Sequence, residues 1–597
     1  MYSRTKVAEL PAPYSGLKAV RTESGSINFL MNCLAYKNNG SAYNEELAPV
    51  PYTTGRLYDS IYVRHWTTWL TNERYAVFAG TLGVSDGSYS FDGTMTNLLL
   101  EIDAPVTRPE SPVQPYGGTG DYDLSPDGST VVFLTKAPEL AKANYTASYL
   151  YVVPHDGSSV AQQLNGPGTQ APSSAQGASG APLFSPDGKQ IAYFQQDGIS
   201  YESDRSKIYV ADVQSNAITS VASNWDASAA VIKWSADCEY LYVAADYLAS
   251  TRLFIVPANA GADIEPYNIT DITSVSDYYV LPGGDALVSA SAVWSSWNVY
   301  TVTPSGTTTY LYKANEQDAE LAGLGPDDVD YVWYEGTLGD QQQAIVVYPT
   351  DFDPNQVYDL VFYVHGGPQG YTGNGWSTRW NLKTWADQGY VLFGPNPTGS
   401  TSYGQALTDR IQGKWGGWPY EDLVNAHTWA CENLPYVNCS NAIEAGASYG
   451  GYMTNWIQGH DLGREFKALV CHDGVATTMA DYGSEELWFI NHDMNGTIWE
   501  TRDVYEAWDP LKHAASFATP QFIIHSDLDY RLPVSEGITM FNALQELGVP
   551  SRFLNFPDEG HWVTNPENSL FWHREIFNWV NYWTGKVEAL DDNAVTE

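Results

Sequence analysis

Residues Ala442-Ile443-Glu444-Ala445-Gly446-Ala447-Ser448-Tyr449-Gly450-Gly451-Tyr452-Met453 read as a short apolar segment, a Gly-x-Ser-x-Gly turn, and a stretch able to continue as helix to Gln458. A strand that turns this sharply into a helix lifts a serine hydroxyl clear of the backbone, which is the geometry of a nucleophile elbow. Glycines flank the serine because a Cβ on either side would clash in so tight a turn. The same pattern recurs at Gly83-Val84-Ser85-Asp86-Gly87, but among polar turn residues with no strand–helix context, so that copy reads as a loop. Ser448 is the candidate nucleophile.

A nucleophilic serine needs a base, and the base needs an acid that orients it. On a doubly wound sheet these follow in the order Ser, acid, His. Of eleven histidines only His561 and His573 lie far enough downstream. His573 falls in Ser569–Phe577, an amphipathic helical pattern, and reads as a helix-packing residue. His561 follows the apolar strand Phe553-Leu554-Asn555-Phe556 and the turn Pro557-Asp558-Glu559-Gly560, where a catalytic imidazole belongs. The strand Pro520–His525 runs into Ser526-Asp527-Leu528-Asp529, so Asp527 and Asp529 compete for the acid on position alone, and Asp558 stands too near His561 in sequence.

Charge that develops on an attacked carbonyl needs aimed donors. The buried-strand run Leu360-Val361-Phe362-Tyr363-Val364 ends in His365-Gly366-Gly367-Pro368-Gln369-Gly370. Glycines after a strand let N–H groups face an anion, so the backbone N–H groups of Gly367 and Tyr449 are the expected oxyanion donors. His365 reads as a residue shaping the turn, because His561 already satisfies the chain order.

The Gly-Ala-Ser-Tyr-Gly-Gly-Tyr elbow, the His-Gly-Gly-Pro loop, Asp529-Tyr530-Arg531-Leu532-Pro533 and Gly560-His561-Trp562 together resemble the prolyl oligopeptidase family of serine peptidases. Asn396–Gly404 and Trp415-Gly416-Gly417 fit the same family. Tyr43–Leu47, Tyr62-Val63-Arg64-His65-Trp66 and Pro550–Glu559 resemble its secreted fungal dipeptidyl-peptidase branch, and the resemblance spans nearly the whole chain. It implies Asp529, two residues before the arginine, as the acid. It also implies release of dipeptides from the free N-terminus of short peptides, with a carboxylate holding the substrate ammonium. Glu45, Glu46, Glu485 and Glu486 are candidates by type only, and Trp488 and Phe489 either line the pocket or pack the core. An acylaminoacyl-peptidase or endo-oligopeptidase would share every motif. A lipase would share the triad but has no use for a propeller, and a binding module would be expected to have lost a triad member.

At 597 residues two domains are expected. Seventy acidic against twenty-nine basic residues, a net charge of −41, exclude nucleic acid as a natural partner and disfavour anionic membranes. No apolar run is long enough to span a membrane, and neither metal-ligand spacing nor a phosphate loop is present, so no cofactor or metal is expected. Up to about residue 330 the chain reads as repeated β-structure. Ser125-Pro126-Asp127-Gly128, Ser185-Pro186-Asp187-Gly188, the degenerate Ser235-Ala236-Asp237-Cys238 and Leu281-Pro282-Gly283-Gly284-Asp285 each feed a strand, at intervals of 46 to 60 residues. That is the spacing of propeller blades. Gly166–Gly180 reads as a flexible loop. The expected fold is a β-propeller of about six blades over 1–330, followed by an α/β-hydrolase domain over 331–597 that ends in the helix Leu570–Trp583.

Residues Met1–Pro11 lack the apolar core of a signal peptide. Family members carry seven blades and a secretion signal, so the chain is expected to be truncated by the signal and about one blade. Residues 1–9 should then be loosely packed and the ring should show a gap. Cys431 and Cys439 could bridge in an oxidising compartment, whereas Cys33, Cys238 and Cys471 read as buried thiols. Sequons occur at Asn39, Asn144, Asn268, Asn438 and Asn495, about the chance yield, and secretion rests on the family resemblance.

Overall fold

The computed structural model describes residues 6–170 and 177–590. Between Ser15 and Lys313 the chain forms five separate antiparallel sheets, each a meander of four strands, the first with an extra two-residue strand. Their leading strands, Ser15–Arg21, Tyr122–Leu124, Ser179–Phe184, Ala229–Trp234 and Ser274–Val280, lie side by side in chain order. The count among the described residues is thus five sheets, not about six. The interval before Ser125 holds one sheet rather than two, because residues 36–73 leave it in turns and a short hairpin, Arg64–His65 with Thr68–Trp69. That excursion reaches the second half of the molecule. Residues 1–5 and 171–176, within the segments expected to be loose, lie outside the described residues; Lys6 to Glu9 are exposed.

The repeated turns are built alike. In Ser125–Gly128 the Asp127 carboxylate accepts from Ser125 Oγ at 2.6 Å and from the Ser129 N–H, while Ser125 Oγ accepts from the Thr130 N–H that begins the strand. Ser185–Gly188 and Ser235–Cys238 repeat this network. These bonds favour the ionised form and hold Asp127, Asp187 and Asp237 below the usual carboxylate range. The fourth turn residue needs positive φ, which Gly128 (75°) and Gly188 (71°) adopt without strain. Cys238 occupies the same position at φ 64°, and it is half-buried rather than buried.

From Val329 to Phe556 the chain forms one eight-stranded sheet. Its order is Val329–Glu335, Gln341–Val347, Tyr390–Pro395, Tyr358–Val364, Val437–Ala447, Phe466–His472, Gln521–Ser526 and Ser551–Phe556. The first two strands run antiparallel and the remaining six are mutually parallel. Parallel strands covered on both faces read as apolar runs, and alternate residues of one strand enter opposite cores. Leu360, Phe362 and Val364 face the core that contains Tyr452 and Trp456, whereas Val361 and Tyr363 face the core of Trp572, Ile576 and Trp579. The last three belong to the closing helix Pro566–Trp583, which starts four residues before the expected Leu570 at an Asn565 cap. Among the described residues no helix is long and apolar enough to cross a membrane.

Cys238→Gly should stabilise the protein by about 1 kcal/mol, since a β-carbon in the left-handed region costs roughly that much. Chemical denaturation of the two proteins measures it, and an unchanged or lower stability would contradict the strain.

Candidate active site

The candidate triad and the His365–Gly367 loop each follow the C-terminal end of a parallel strand, the edge at which open α/β sheets bind ligands. His365–Gly367 follow Tyr358–Val364, Ser448 follows Val437–Ala447, Asp529 follows Gln521–Ser526, and His561 follows Ser551–Phe556. Ser448 adopts φ 58°, ψ −120° and heads the helix Tyr449–Gln458. Backbone in this region is strained and persists only where its surroundings over-determine it. Here they do. A Cβ at Gly446 would stand 2.4 Å from Gly450 O, and one at Gly450 would stand 2.1 Å from Val364 O.

Ser448 Oγ lies 3.0 Å from His561 Nε2, and His561 Nδ1 lies 2.8 Å from Asp529 Oδ2. The other Asp529 oxygen accepts the Leu532 N–H at 2.9 Å. His561 is 4% and Asp529 1% exposed, so the pair works out of water. Asp527 is exposed and accepts from Asn555 Nδ2 instead, and Asp558 is exposed on its turn. His365 is buried, with Nδ1 on Gly366 O at 2.7 Å and Nε2 on Ser400 Oγ at 3.0 Å; burial lowers its pKa to about 4 and keeps it neutral. His573 bonds the Ser569 carbonyl within the closing helix. Ser85 ends a strand at an exposed hairpin tip opposite Ser88.

The Gly367 N–H donates to no backbone carbonyl among the described residues, and Tyr449, as first residue of its helix, has no intrahelical acceptor. Both N–H groups are free for an oxyanion. The Tyr449 hydroxyl is committed to Trp415 O at 2.6 Å.

One buried acid escaped the sequence reading. Asp473, directly after the strand Phe466–His472, accepts the Ser448 N–H at 2.6 Å with one oxygen and places the other 3.6 Å from His561 Nδ1. The chain order of the triad hid it, since the acid was sought only after the next strand. Its signal was an Asp-Gly pair ending an apolar run. Burial alone would lower the His561 pKa; the Asp473 and Asp529 carboxylates and the bond to Asp529 outweigh it and raise it to about 9. Burial would likewise raise Asp529, but the facing His561 and His525 hold it well below the usual carboxylate range. The ligand atoms of Asp473, Asp529 and His561 lie close enough together for a metal ion. His561 Nδ1 and Asp529 Oδ2 stand there at hydrogen-bond distance, 2.8 Å.

The Arg64–Trp69 excursion brings Trp66 edge-on to His561 at 5.6 Å between ring centroids, and the Trp66 carbonyl accepts the Tyr530 N–H at 3.1 Å. Glu486 accepts from His65 Nε2 at 2.7 Å and pairs with Arg531. Glu202, which sequence reasoning also missed, lies 3.5 Å from Arg531 and accepts from Trp488 Nε1 at 3.2 Å. Trp488 is buried against Tyr62 and Ala143, and Phe489 is half-buried beneath the Arg531 guanidinium. Glu45 and Glu46 lie exposed on a short turn, and no contact among the described residues joins them to this cluster. Cys431 and Cys439 form a disulfide; Cys33 and Cys471 are buried thiols.

The sequence signature of the prolyl oligopeptidase family matches residues 376–587. Dipeptidyl-peptidase 5 of Aspergillus fumigatus is 53% identical over 99% of this chain and 82% of its own length. Dipeptidyl-peptidase 5 of Trichophyton equinum is 49% identical over 97% and 80%. The chain belongs to the prolyl oligopeptidase family. It is a serine peptidase. Acylaminoacyl peptidase of Pyrococcus horikoshii, at 16% identity, shares the fold with a TM-score of 0.74 over 99% of this chain and 86% of its own. A puromycin hydrolase does so at 15% identity and 0.62, over 97% and 95%. These family enzymes pair a propeller with an α/β-hydrolase domain.

A base must be neutral to accept a proton, so an imidazole pKa near 9 places the acid limb of kcat/KM above the ordinary histidine range. Asp473→Asn keeps an acceptor for the Ser448 N–H but removes a charge beside the imidazole, and the limb should fall by roughly one unit. A pH profile that does not move would show that Asp473 acts on the backbone alone.

Proposed function

We propose that the protein releases dipeptides from the free N-terminus of short peptides through a Ser448–His561–Asp529 triad and an acyl-enzyme. The observation that carries this reading is the unbroken relay from Ser448 Oγ through His561 to buried Asp529. His561 takes the serine proton as Oγ attacks the scissile carbonyl, then returns it to the leaving amine. Asp529 keeps the proton on Nδ1 and stabilises the imidazolium. Gly367 and Tyr449 N–H groups receive the oxyanion. A water then enters on the same imidazole and frees the dipeptide.

The substrate ammonium meets an acidic cluster where the two halves of the molecule come together. Glu202, Glu485 and Glu486 surround the Arg531 guanidinium there, and the Lys136 ammonium lies within electrostatic reach of Glu202 and Glu486. Glu486 is held by His65 and Arg531, and Glu485 is buried, its carboxyl pushed up to about 7 chiefly by burial. Glu202 keeps an exposed side, so it is the carboxylate an incoming ammonium meets first. The five small sheets are blades of one propeller domain over 1–330, which with the hydrolase domain over 331–597 admits slender peptides and excludes folded proteins. The protein works outside the cell: the Cys431–Cys439 disulfide suits an oxidising compartment, and the sequon residues Asn39, Asn268 and Asn495 are exposed.

Turnover of free and N-acetylated dipeptide 4-nitroanilides tests the reading. Only the free form should be cleaved, because acetylation removes the charge that Glu202 would bind. Cleavage of only the blocked form would make the protein an acylaminoacyl-peptidase.

A further inference from the structure

Trp66, Tyr116 and Trp562 meet beside the His561 imidazole. Trp66 stands edge-on to Trp562 at 4.8 Å and to Tyr116 at 5.3 Å between ring centroids. Tyr116 is 65% and Trp562 38% exposed, so this wall faces solvent rather than the core. Half-buried Arg379 lays its guanidinium over Trp562, with Cζ 4.5 Å from the ring centroid. Stacking on an aromatic face leaves the edge of the guanidinium, with its five donors, free for a planar anion. Among the described residues no group accepts a hydrogen bond from it. Burial lowers its pKa, and Asp473, Tyr363 and Tyr116 reach it only through space. Arg531, Lys142, Arg64 and Lys136, cations of the same region, each have a hydrogen-bond acceptor, a carboxylate for the first two and a backbone carbonyl for the last two. In a chain of net charge −41, a half-buried cation without one is an unfilled anion receptor.

Its side of the site follows from the chemistry. His561 hands its proton to the leaving amine, so the leaving fragment departs past the imidazole and over the aromatic wall next to it. From His561 through Trp66 and Trp562 to Arg379 the separation is at most about 15 Å. Extended peptide covers roughly 3.5 Å per residue, so a carboxylate there ends a fragment of about four residues or fewer.

We propose that Arg379, with Trp66, Tyr116 and Trp562, forms a subsite for the C-terminal carboxylate of the leaving peptide. Preferred substrates are then peptides that end in a free acid within about four residues of the scissile bond. This rests on the dipeptidyl-peptidase reading above, and the test separates the two. Peptides with leaving fragments of one to about four residues are each compared as free acid and as C-terminal amide, kcat/KM is measured for release of the same dipeptide, and the ratio is taken at the length that gives the largest difference. The wild-type protein should favour the acid about tenfold, as expected of a charge-assisted bidentate contact. Arg379→Gln should bring the ratio to about one, and Arg379→Lys should keep part of it. Each ratio is taken within one protein, so a general loss in a variant cancels. High salt should shrink the wild-type ratio. A wild-type ratio near one, or a ratio that survives Arg379→Gln, would overturn the subsite. A dipeptidyl anilide has no carboxylate to bind; if the wild-type protein fails to cleave it, the dipeptidyl-peptidase reading fails instead.

Discussion

The bond between His561 Nδ1 and the buried Asp529 carboxylate sets the terms for everything around it. It decides which ring nitrogen carries the proton and so turns the Nε2 lone pair toward Ser448 at 3.0 Å. An ionised carboxylate this deep is tolerable only if its oxygens are engaged. Asp529 meets that condition with the imidazole on one oxygen and the Leu532 N–H on the other. Asp473 adds a second requirement. It pins the strained Ser448 backbone and faces the same imidazole, so the position of Ser448 and the basicity of His561 rest on one side chain.

The two halves of the molecule meet around this point. The excursion that interrupts the first sheet delivers His65 to Glu486 and Trp66 to His561, while Glu202, from beyond the third sheet's second strand, reaches Arg531. Arg531 stands two residues after Asp529 on the same loop. Acidic groups thus gather around Arg531, while Arg379 stacks on Trp562, which meets Trp66 beside the same imidazole.

Much of this was legible in the chain. The elbow around Ser448, the strand runs and the turn before His561 are local signals, each set by steric need or by periodicity. Position alone left Asp527 and Asp529 tied; the geometry separates them, since one faces solvent and the other is buried against the imidazole. What stayed hidden depends on long-range contact. Asp473 carries no motif of its own, and Glu202 and Arg379 acquire meaning only when loops distant in sequence converge. The blade count misled for a related reason. A spacing of two blade lengths looks the same whether the chain builds a second sheet or leaves to reach the active site, as residues 36–73 do.

The central claim is that Ser448 carries the substrate's dipeptidyl group as an ester. Acid-quenching the protein during turnover of a dipeptidyl nitrophenyl ester and weighing it intact measures this directly. The account predicts a mass gain of one dipeptidyl group, located by proteolysis and fragmentation on the segment containing Ser448. An adduct on any other residue, or turnover with no adduct under conditions where acylation outpaces hydrolysis, would contradict it.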